Sequence, residues 1–426
     1  MIRALYTLLW IVGMPLVLGR LAWRARHQPE YLQHLPERFG YLPASDVPCI
    51  WLHAVSVGET RAAQPLLKAL LSAYPAHHIL LTHMTPTGRA TGQELFGKEA
   101  RVRQAWLPYD LPWCTRRFLR TVQPACGIIM ETEVWPNLMR QAKVRGVPML
   151  LASARLSERS AKGYARLGNL AKQAFAGFDT IAAQSDADAA RLRGLAGNED
   201  KSFVRVTGNI KYDVEIISSM QERGAAFKAL VGKRPVILAT STREGEEVLL
   251  LEAFRNHAPA EVLLALVPRH PQRFDEVSAA VRHAGLALQR RSDGMAIAPA
   301  TRVWLGDSMG EMAAYYTMAD VSLIGGSWLP FGSQNLIESC AAGVPVMIGP
   351  HSFNFAEAAE KAIEAGAALR CANAESGVLE ALALTSDPER RNRMSQAGLA
   401  FCRLHRGATA RLMSLVEGLL SNTEKK

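Results

Sequence analysis

Few features of this 426-residue chain mark it for a special environment. Its six cysteines, Cys49, Cys114, Cys126, Cys340, Cys371 and Cys402, never approach a C-x-x-C spacing. No redox or zinc pair is therefore expected, and so sparse a set is no disulfide framework; a reducing compartment fits. No two histidines frame an H-E-x-x-H or similar spacing, so no metal site is expected. Low-complexity stretches are missing, and so is any repeat of roughly 20–50 residues, which excludes solenoids and propellers. Zinc-finger spacing, an RNA-binding aromatic signature and long basic runs are absent too, so nucleic acid is not an expected partner. The formal net charge is nevertheless +10 and the pI about 9.4. This excess is spread through loops and helix ends, and it suits an anionic membrane surface or phosphorylated substrates.

An uninterrupted run long enough to cross a bilayer is also lacking. "ALYTLLWIVGMPLVLG", between Arg3 and Arg20, has 16 uncharged residues. As a helix it reaches about 24 Å, against a hydrocarbon core of about 30 Å. Extension to Trp23 with Arg20 snorkelling nearly closes the gap, although Pro15 disfavours a straight helix. A signal peptide, a buried core helix and a membrane anchor compete here. No A-x-A cleavage site is present, and Arg20, Arg24 and Arg26 crowd its place. A membrane anchor over residues 1–26, spanning or interfacial, is the expectation. Three arginines after the run against one before it put the body in the cytoplasm.

What is there is alternation. "CIWLHA" (49–54), "HILLTH" (78–83), "RVRQAWL" (101–107), "ACGIIM" (125–130), "VPMLLAS" (147–153) and "DTIAAQS" (179–185) read as buried strands. Helical patterns separate them, including one over 59–73 and a long one over 157–176. After a break at "VTGNIKYDVE" (206–215) the alternation restarts. "PVILATS" (235–241), "EVLLALVPRH" (261–270), "GLALQ" (285–289), "RVWLG" (302–306), "VSLIGG" (321–326) and "VPVMIGP" (344–350) follow. The fold class is α/β, with two Rossmann-like domains of parallel sheet and a cleft between them. The expected boundaries are 27–206 for the first domain, 207–214 for a hinge and 215–405 for the second. Ligands of such sheets bind beyond the carboxyl ends of the strands.

The strand exits carry the chemistry. "WLHAVSVGET" (51–60) has the layout of a phosphate-cradling turn but carries its own anion, Glu59, after Gly58. Glu59 is either a first-turn carboxylate favoured by the helix dipole or a base at the mouth of a site. "ETEVWPN" sets Glu131 and Glu133 at a strand end, two apart and expected on one side. In a cleft, such a pair raises one pKa unless a cation is near. Lys211 of "GNIK" sits at the hinge, within reach of the cleft. In the second half "ATSTREGEE" (239–247) offers Ser241 or Thr242 as a helix cap with Glu244 as capping-box partner. "VPRHP" places Pro268 and Arg269 past a strand, where an arginine can meet an anion. "GDSMGEM" offers Gly306 and Gly310 before a helix. "IGGSWLPFGSQNLIESC" has Gly332 and Ser333 opening a helix that carries Asn335 and Glu338 on one face. There a carboxylate can accept from ribose hydroxyls.

"HAVSVGE", "METEVWPN", "ARLSERS", "VTGNIKYD", "STREGEE", "VPRHPQRF", "GDSMGEM", "GGS" and "GPHSFNF", in this order, resemble the Kdo (3-deoxy-D-manno-octulosonic acid) transferases of lipopolysaccharide assembly. The resemblance runs almost the length of the chain. It implies a GT-B fold, with residues 406–426 packing back on the first domain. It implies transfer of Kdo from CMP-Kdo to the lipid A precursor lipid IVA, at the cytoplasmic face of the inner membrane. No cofactor is implied. By the same resemblance Glu59 is the catalytic base, and Glu131 and Lys211 support the transition state. Pro268, Arg269, Met309, Gly310, Glu311, Asn335, Leu336, Ile337 and Glu338 would contact CMP. Two departures stand out: Arg243 where the family often has His, and "GSQN", with Ser333 and Gln334, where it often has "GGHN".

The reaction this implies needs a base for the acceptor hydroxyl, for which Glu59 needs only a modest rise in pKa. The helix start beneath Glu59 is expected to lower its pKa and keep it ionised. Helix starts near 310 and 335 and Arg269 would stabilise the leaving phosphate without a metal. Lys211 or an arginine would face Kdo's carboxylate. Direct displacement would invert the anomeric centre. The anchor and basic surface would hold the enzyme on the anionic membrane that carries the acceptor. Another GT-B enzyme, such as a nucleotide-sugar 2-epimerase, and a two-lobed binding protein are the alternatives.

Overall fold

The structure is a computed structural model that describes residues 2–214 and 218–424. The expected start of the second domain at 215, residue 1 of the anchor and the last two residues, 425 and 426, lie outside the described residues. Contacts divide the chain into two units, Met1–Asp213 with Arg406–Lys426, and Val214–His405.

The first unit is built on seven strands: β1 (Cys49–His53), β2 (His78–His83), β3 (Val102–Trp106), β4 (Pro124–Met130), β5 (Met149–Ala154), β6 (Thr180–Ala183) and β7 (Val204–Val206). Their order is β3-β2-β1-β4-β5-β6-β7, with parallel pairing throughout. Helices cover both faces, so the central strands are apolar on both sides and read as continuous runs. All five residues of β1 are buried. Trp51 packs edge-on against Phe118 at 5.1 Å between ring centroids. Its indole N–H donates to Thr82 Oγ1 at 2.9 Å. A stranded indole there would cost about 1–3 kcal/mol.

The helix Ala408–Glu424 belongs to this unit although it ends the chain. Leu412, Val416 and Leu419 bury against Leu66, Leu67 and Leu70. Asp213 accepts from the N–H groups of Gly407 (2.6 Å) and Thr409 (2.5 Å), so an acid far upstream caps this helix. Arg411 Nε donates to the Thr207 carbonyl at 2.8 Å.

The second unit repeats the plan with β8 (Val236–Thr242), β9 (Leu263–Pro268), β10 (Leu288–Arg290), β11 (Val303–Leu305), β12 (Val321–Ile324), β13 (Val346–Ile348) and β14 (Ala368–Arg370). The order is β10-β11-β9-β8-β12-β13-β14, again all parallel. The α/β fold with two parallel Rossmann-like sheets is thus as the sequence indicates.

Several elements differ from the sequence reading. The helix expected over 59–73 is two helices, Val57–Ala62 and Gln64–Ala73, because Pro65 has no N–H to continue the first. The long helix over 157–176 is also two, Glu158–Arg166 and Asn169–Phe175, parted at Gly168, whose φ of +51° breaks the spiral. The strand expected at 285–289 forms later, at Leu288–Arg290. Residues 2–25 form one helix, Ile2–Ala25, with Pro15 inside it. It is long and apolar enough to cross a membrane by length and composition.

Candidate active site

In the first unit the chain winds from β1 out through β2 and β3, then returns to β4 on the other side of β1. The connections after β1 and β4 therefore diverge and leave a crevice at those two carboxyl ends. Glu59 follows β1, and Glu131 follows β4 directly.

The β1 exit is tightly braced. Ser56 is the N-cap of the helix Val57–Ala62, and its Oγ accepts from the Glu59 N–H at 3.5 Å. The Glu59 carboxylate accepts from the Val55 N–H (2.8 Å) and from Ser56 Oγ–H (3.1 Å). Glu59 is thus a capping residue and a half-buried acid at a strand exit together. Thr85 Oγ1 donates to the Val55 carbonyl at 3.0 Å. Gly88 lets the next helix close on this loop, since a Cβ there would stand 2.9 Å from the Val55 oxygen.

Burial pushes the Glu59 carboxyl up to about 7. The Val55 hydrogen bond opposes the rise, while the negative charges of Glu131 and Glu133 add to it. This corrects the expectation that the helix start lowers its pKa. The helix has only six residues, and burial beside two acids outweighs its field.

Glu131 and Glu133 are not alternate residues of a strand, as expected. β4 stops at Met130, and Glu131 takes the left-handed conformation, φ +56°, which turns the chain. Such a backbone is uncommon for a residue with a Cβ. Burial, then Glu131, pushes the Glu133 carboxyl up. Lys211, on the short 3-10 turn Ile210–Tyr212, donates to Glu131 Oε1 at 3.1 Å. The structure therefore brings together the three residues singled out in this unit: Lys211 pairs with Glu131, and Glu131 acts on Glu59. Both members of the ion pair stay partly exposed, 24 % for Lys211 and 30 % for Glu131. The His53 of "HAVSVGE" plays no such part. It is fully buried beside Thr82 Oγ1 (2.9 Å), and burial holds its pKa down to about 3, so it is neutral.

In the second unit the marked residues also follow strand ends. Pro268 closes β9, and the Arg269 N–H donates to the Thr242 carbonyl at 3.0 Å. Burial and the charges of Arg243 and Arg269 lower the pKa of His270, which places these two arginines close to it. Arg243 lies over the Phe331 ring at 4.5 Å and its Nε pairs with Glu244 at 3.1 Å. Met309 is exposed, and Gly310 has φ +76° with open space around it. Glu311 is buried, and one of its oxygens receives Arg223 Nη1 (2.9 Å) and Arg291 Nη2 (3.1 Å). Sequence reasoning missed these two arginines, which lie 88 and 20 positions from Glu311 along the chain. Asn335 Oδ1 accepts from the Ile337 N–H (3.0 Å), and its Nδ2 donates to Glu338 Oε1 (3.0 Å). Leu336 and Ile337 are buried behind that pair.

Three expectations here need correction. The helices begin at Met312 and Ile337, not near 310 and 335, and are only seven and five residues long. Their starts therefore offer weak fields, and Asn335 precedes its helix. Glu244 caps nothing. Ser241 sits at φ +48°, and the helix begins at Glu246 after Gly245. Glu246 is the acid that matters structurally: fully buried, it accepts from the N–H groups of Gly326 (2.7 Å), Arg243 (2.8 Å) and Trp328 (2.9 Å). One carboxylate thus ties the loop after β8 to the loop after β12. Thr242 Oγ1 donates to Glu247 at 2.7 Å, and Arg273 grips Glu247 with both terminal nitrogens.

Two units of parallel Rossmann-like sheet give the chain a GT-B-like fold. The UDP-GlcNAc 2-epimerase of Neisseria meningitidis bound to UDP-GlcNAc shares this architecture, with a TM-score of 0.57 over 87 % of this chain and 100 % of that one. At 13 % identity the likeness concerns the fold alone. Residues 33–214 match the family described as 3-deoxy-D-manno-octulosonic-acid transferase (kdotransferase). The chain is 46 % identical to the 3-deoxy-D-manno-octulosonic acid transferase of Bordetella pertussis, over 98 % of this chain and 99 % of the relative. It is 35 % identical to that of Haemophilus influenzae, over the same shares. The chain belongs to the Kdo transferase family of glycosyltransferases.

Proposed function

We propose that the chain transfers Kdo from CMP-Kdo to lipid IVA with inversion, using Glu59 as base. The observation that carries this is the Glu59 carboxyl: accessible, at a strand exit, and raised to about 7 by burial and two neighbouring acids. A base of that strength takes a proton near neutral pH and is half in its active form there. In the reaction the acceptor's sugar oxygen bonds to the anomeric carbon of Kdo. The bond from that carbon to the CMP phosphate oxygen breaks, and its electron pair leaves with the phosphate. The acceptor's hydroxyl proton passes to Glu59. Lys211, held by Glu131, supplies a cation for Kdo's carboxylate, and Glu131 fixes where that cation stands. In the second unit Pro268, Arg269 and the 309–311 loop take the CMP phosphate and base, with Asn335 and Glu338 on the ribose. Glu311 is clamped by two arginines, so we assign it to holding Arg223 and Arg291 rather than to a hydroxyl of the nucleotide. The acceptor belongs to the first unit, and the enzyme works at the cytoplasmic face of the inner membrane.

The test is direct. The protein is incubated with CMP-Kdo and lipid IVA, and the lipid product is weighed. Mass increments of whole Kdo units are expected, and their number counts the sugars transferred. An unchanged lipid mass with intact, folded protein refutes the proposal.

A further inference from the structure

The N-terminal helix Ile2–Ala25 presents two unlike faces. Ile2, Leu5, Leu9, Val12, Leu16 and Trp23 recur at helical spacing and are 41–79 % exposed, forming an apolar stripe with nothing over it. The other face is fastened to the first unit. Tyr6 O–H donates to Asp110 Oδ2 at 2.9 Å, and Asn137 Nδ2 donates to Thr7 Oγ1 at 3.1 Å. Both partners are buried, Asp110 to 1 % and Asn137 to 3 % exposure. Trp10 meets the Tyr109 ring at 6.0 Å between centroids. At the far end Leu21 is buried, and Arg24 Nη1 donates to Tyr31 at 3.3 Å.

The first third of the helix is therefore fastened to the same body into which its last residue leads. At 24 residues it is about 36 Å long. Were it to cross a core of about 30 Å, residues 2–10 and residue 25 would lie on opposite sides of the membrane. Asp110 and Asn137 are packed into the body, on one side only, and could not then meet Tyr6 and Thr7. Spanning and the observed contacts exclude each other.

We infer that this helix lies in the plane of one leaflet, its stripe among the acyl chains and its opposite face clamped to the catalytic body. The partner is an anionic lipid surface. Arg20, Arg24 and Arg26 are exposed beside the stripe. A groove of about 630 Å³ under the start of the helix joins Arg3 and Arg140 to Leu8, Ile11 and Val144. Cation beside apolar wall is the complement of a phosphate headgroup and the first carbons of its chain. This arrangement does not depend on the identity of donor or acceptor.

The experiment exploits the six native cysteines, all free and buried, which leave little background for thiol labelling. Ala4→Cys and Gln28→Cys, both at exposed positions, are made singly in the full chain. Each protein is bound to vesicles of phosphatidylcholine and phosphatidylglycerol with the body outside, and a membrane-impermeant maleimide is added. The in-plane arrangement gives roughly equal labelling at the two sites without detergent. Labelling of Gln28→Cys with Ala4→Cys silent until detergent is added overturns it. Failure of the folded protein to bind the anionic vesicles overturns it as well. Unaltered CMP binding by both variants shows that the substitutions leave the fold intact. Loss of Kdo transfer with equal labelling would sink the reading of the activity and leave this inference standing.

Discussion

Replacing Glu59 by Gln removes one ionisable oxygen and little else. The amide oxygen still accepts from the Val55 N–H, the contact that Glu59 makes at 2.8 Å, so the cap survives. With a carboxyl at about 7, the wild type has about 9 % of its base form at pH 6 and about 91 % at pH 8. Its kcat/KM should fall tenfold per pH unit on the acid side, with a midpoint near 7. Glu59→Gln should lower kcat by about 10²–10⁴-fold, or about 3–5 kcal/mol of barrier, and lose this acid limb. Stability should move the other way. A carboxyl raised by folding binds its proton more tightly in the native state, so stability is full at low pH. It declines as pH climbs from the ordinary carboxyl range to about 7, and stays lower above that. The variant escapes this decline. After allowance for partial exposure it should be more stable than the wild type by about 1–2 kcal/mol at pH 8, and equal to it near pH 4, below the ordinary carboxyl range. Initial rates from pH 5.5 to 9 and thermal melts at the two pH values check both halves, in roughly 0.5-unit steps. Near-normal turnover, or an acid limb unchanged in the variant, refutes the assignment of the base.

Two neighbours should shift the same limb in opposite directions. Glu133→Gln removes a negative charge that raises Glu59 and should move the midpoint down by roughly 0.5 pH unit. Lys211→Met takes away the cation 3.1 Å from Glu131, so the midpoint should rise while kcat falls; shifts of equal sign in the two profiles would contradict the proposed charge arrangement. Gly88→Ala forces a Cβ to 2.9 Å from the Val55 oxygen and should cost about 1–3 kcal/mol in a denaturant melt, with kcat reduced more than KM. Glu246→Ala strands the buried N–H groups of Gly326 and Trp328 and should cost on the order of 2–4 kcal/mol, with CMP affinity reduced by calorimetry; a stable variant that binds CMP normally would remove Glu246 as the tie between the two loops.

Much of the fold was legible because its strands are buried on both faces. β1, β2 and β4 announce themselves as apolar runs, and the alternation with helices announces their parallel pairing, though not their order in the sheet. β14 did not announce itself: it has three residues at a sheet edge, and Arg370 is exposed. The strand exits single out residues to watch, but not how their side chains pair. Ser241 and Glu244 have capping-box spacing, yet the backbone at Ser241 turns left-handed and the bonds go to Glu246 and Glu247. Spacing encodes only local geometry, and the partners that decided the matter, Gly326 and Trp328, lie 80 and 82 residues on. The clamp on the N-terminal helix was illegible for the same reason, since Tyr6 and Asp110 are 104 residues apart.

The capping acids of this chain differ from Glu59 in how they are held. Glu246, Asp110 and Asp213 each accept from two or more backbone N–H groups. Asp110 even has its pKa raised to about 6, chiefly by burial, so a raised pKa is no mark of catalysis here. Glu246 and Asp110 are also sealed, at 0 % and 1 % exposure, and no substrate hydroxyl can reach them. Glu59 differs in three respects at once. It accepts one backbone N–H and one hydroxyl, it keeps an exposed edge, and its nearest charged influences are two acids rather than a cation. An acid placed that way holds a proton loosely enough to exchange it and openly enough to receive it from a substrate. The carboxylate in a loop of phosphate-binding shape is thus consistent with its surroundings: Glu59 takes up the Val55 N–H that this strand exit would otherwise turn to an anion, and the proposed base keeps an edge open to a hydroxyl.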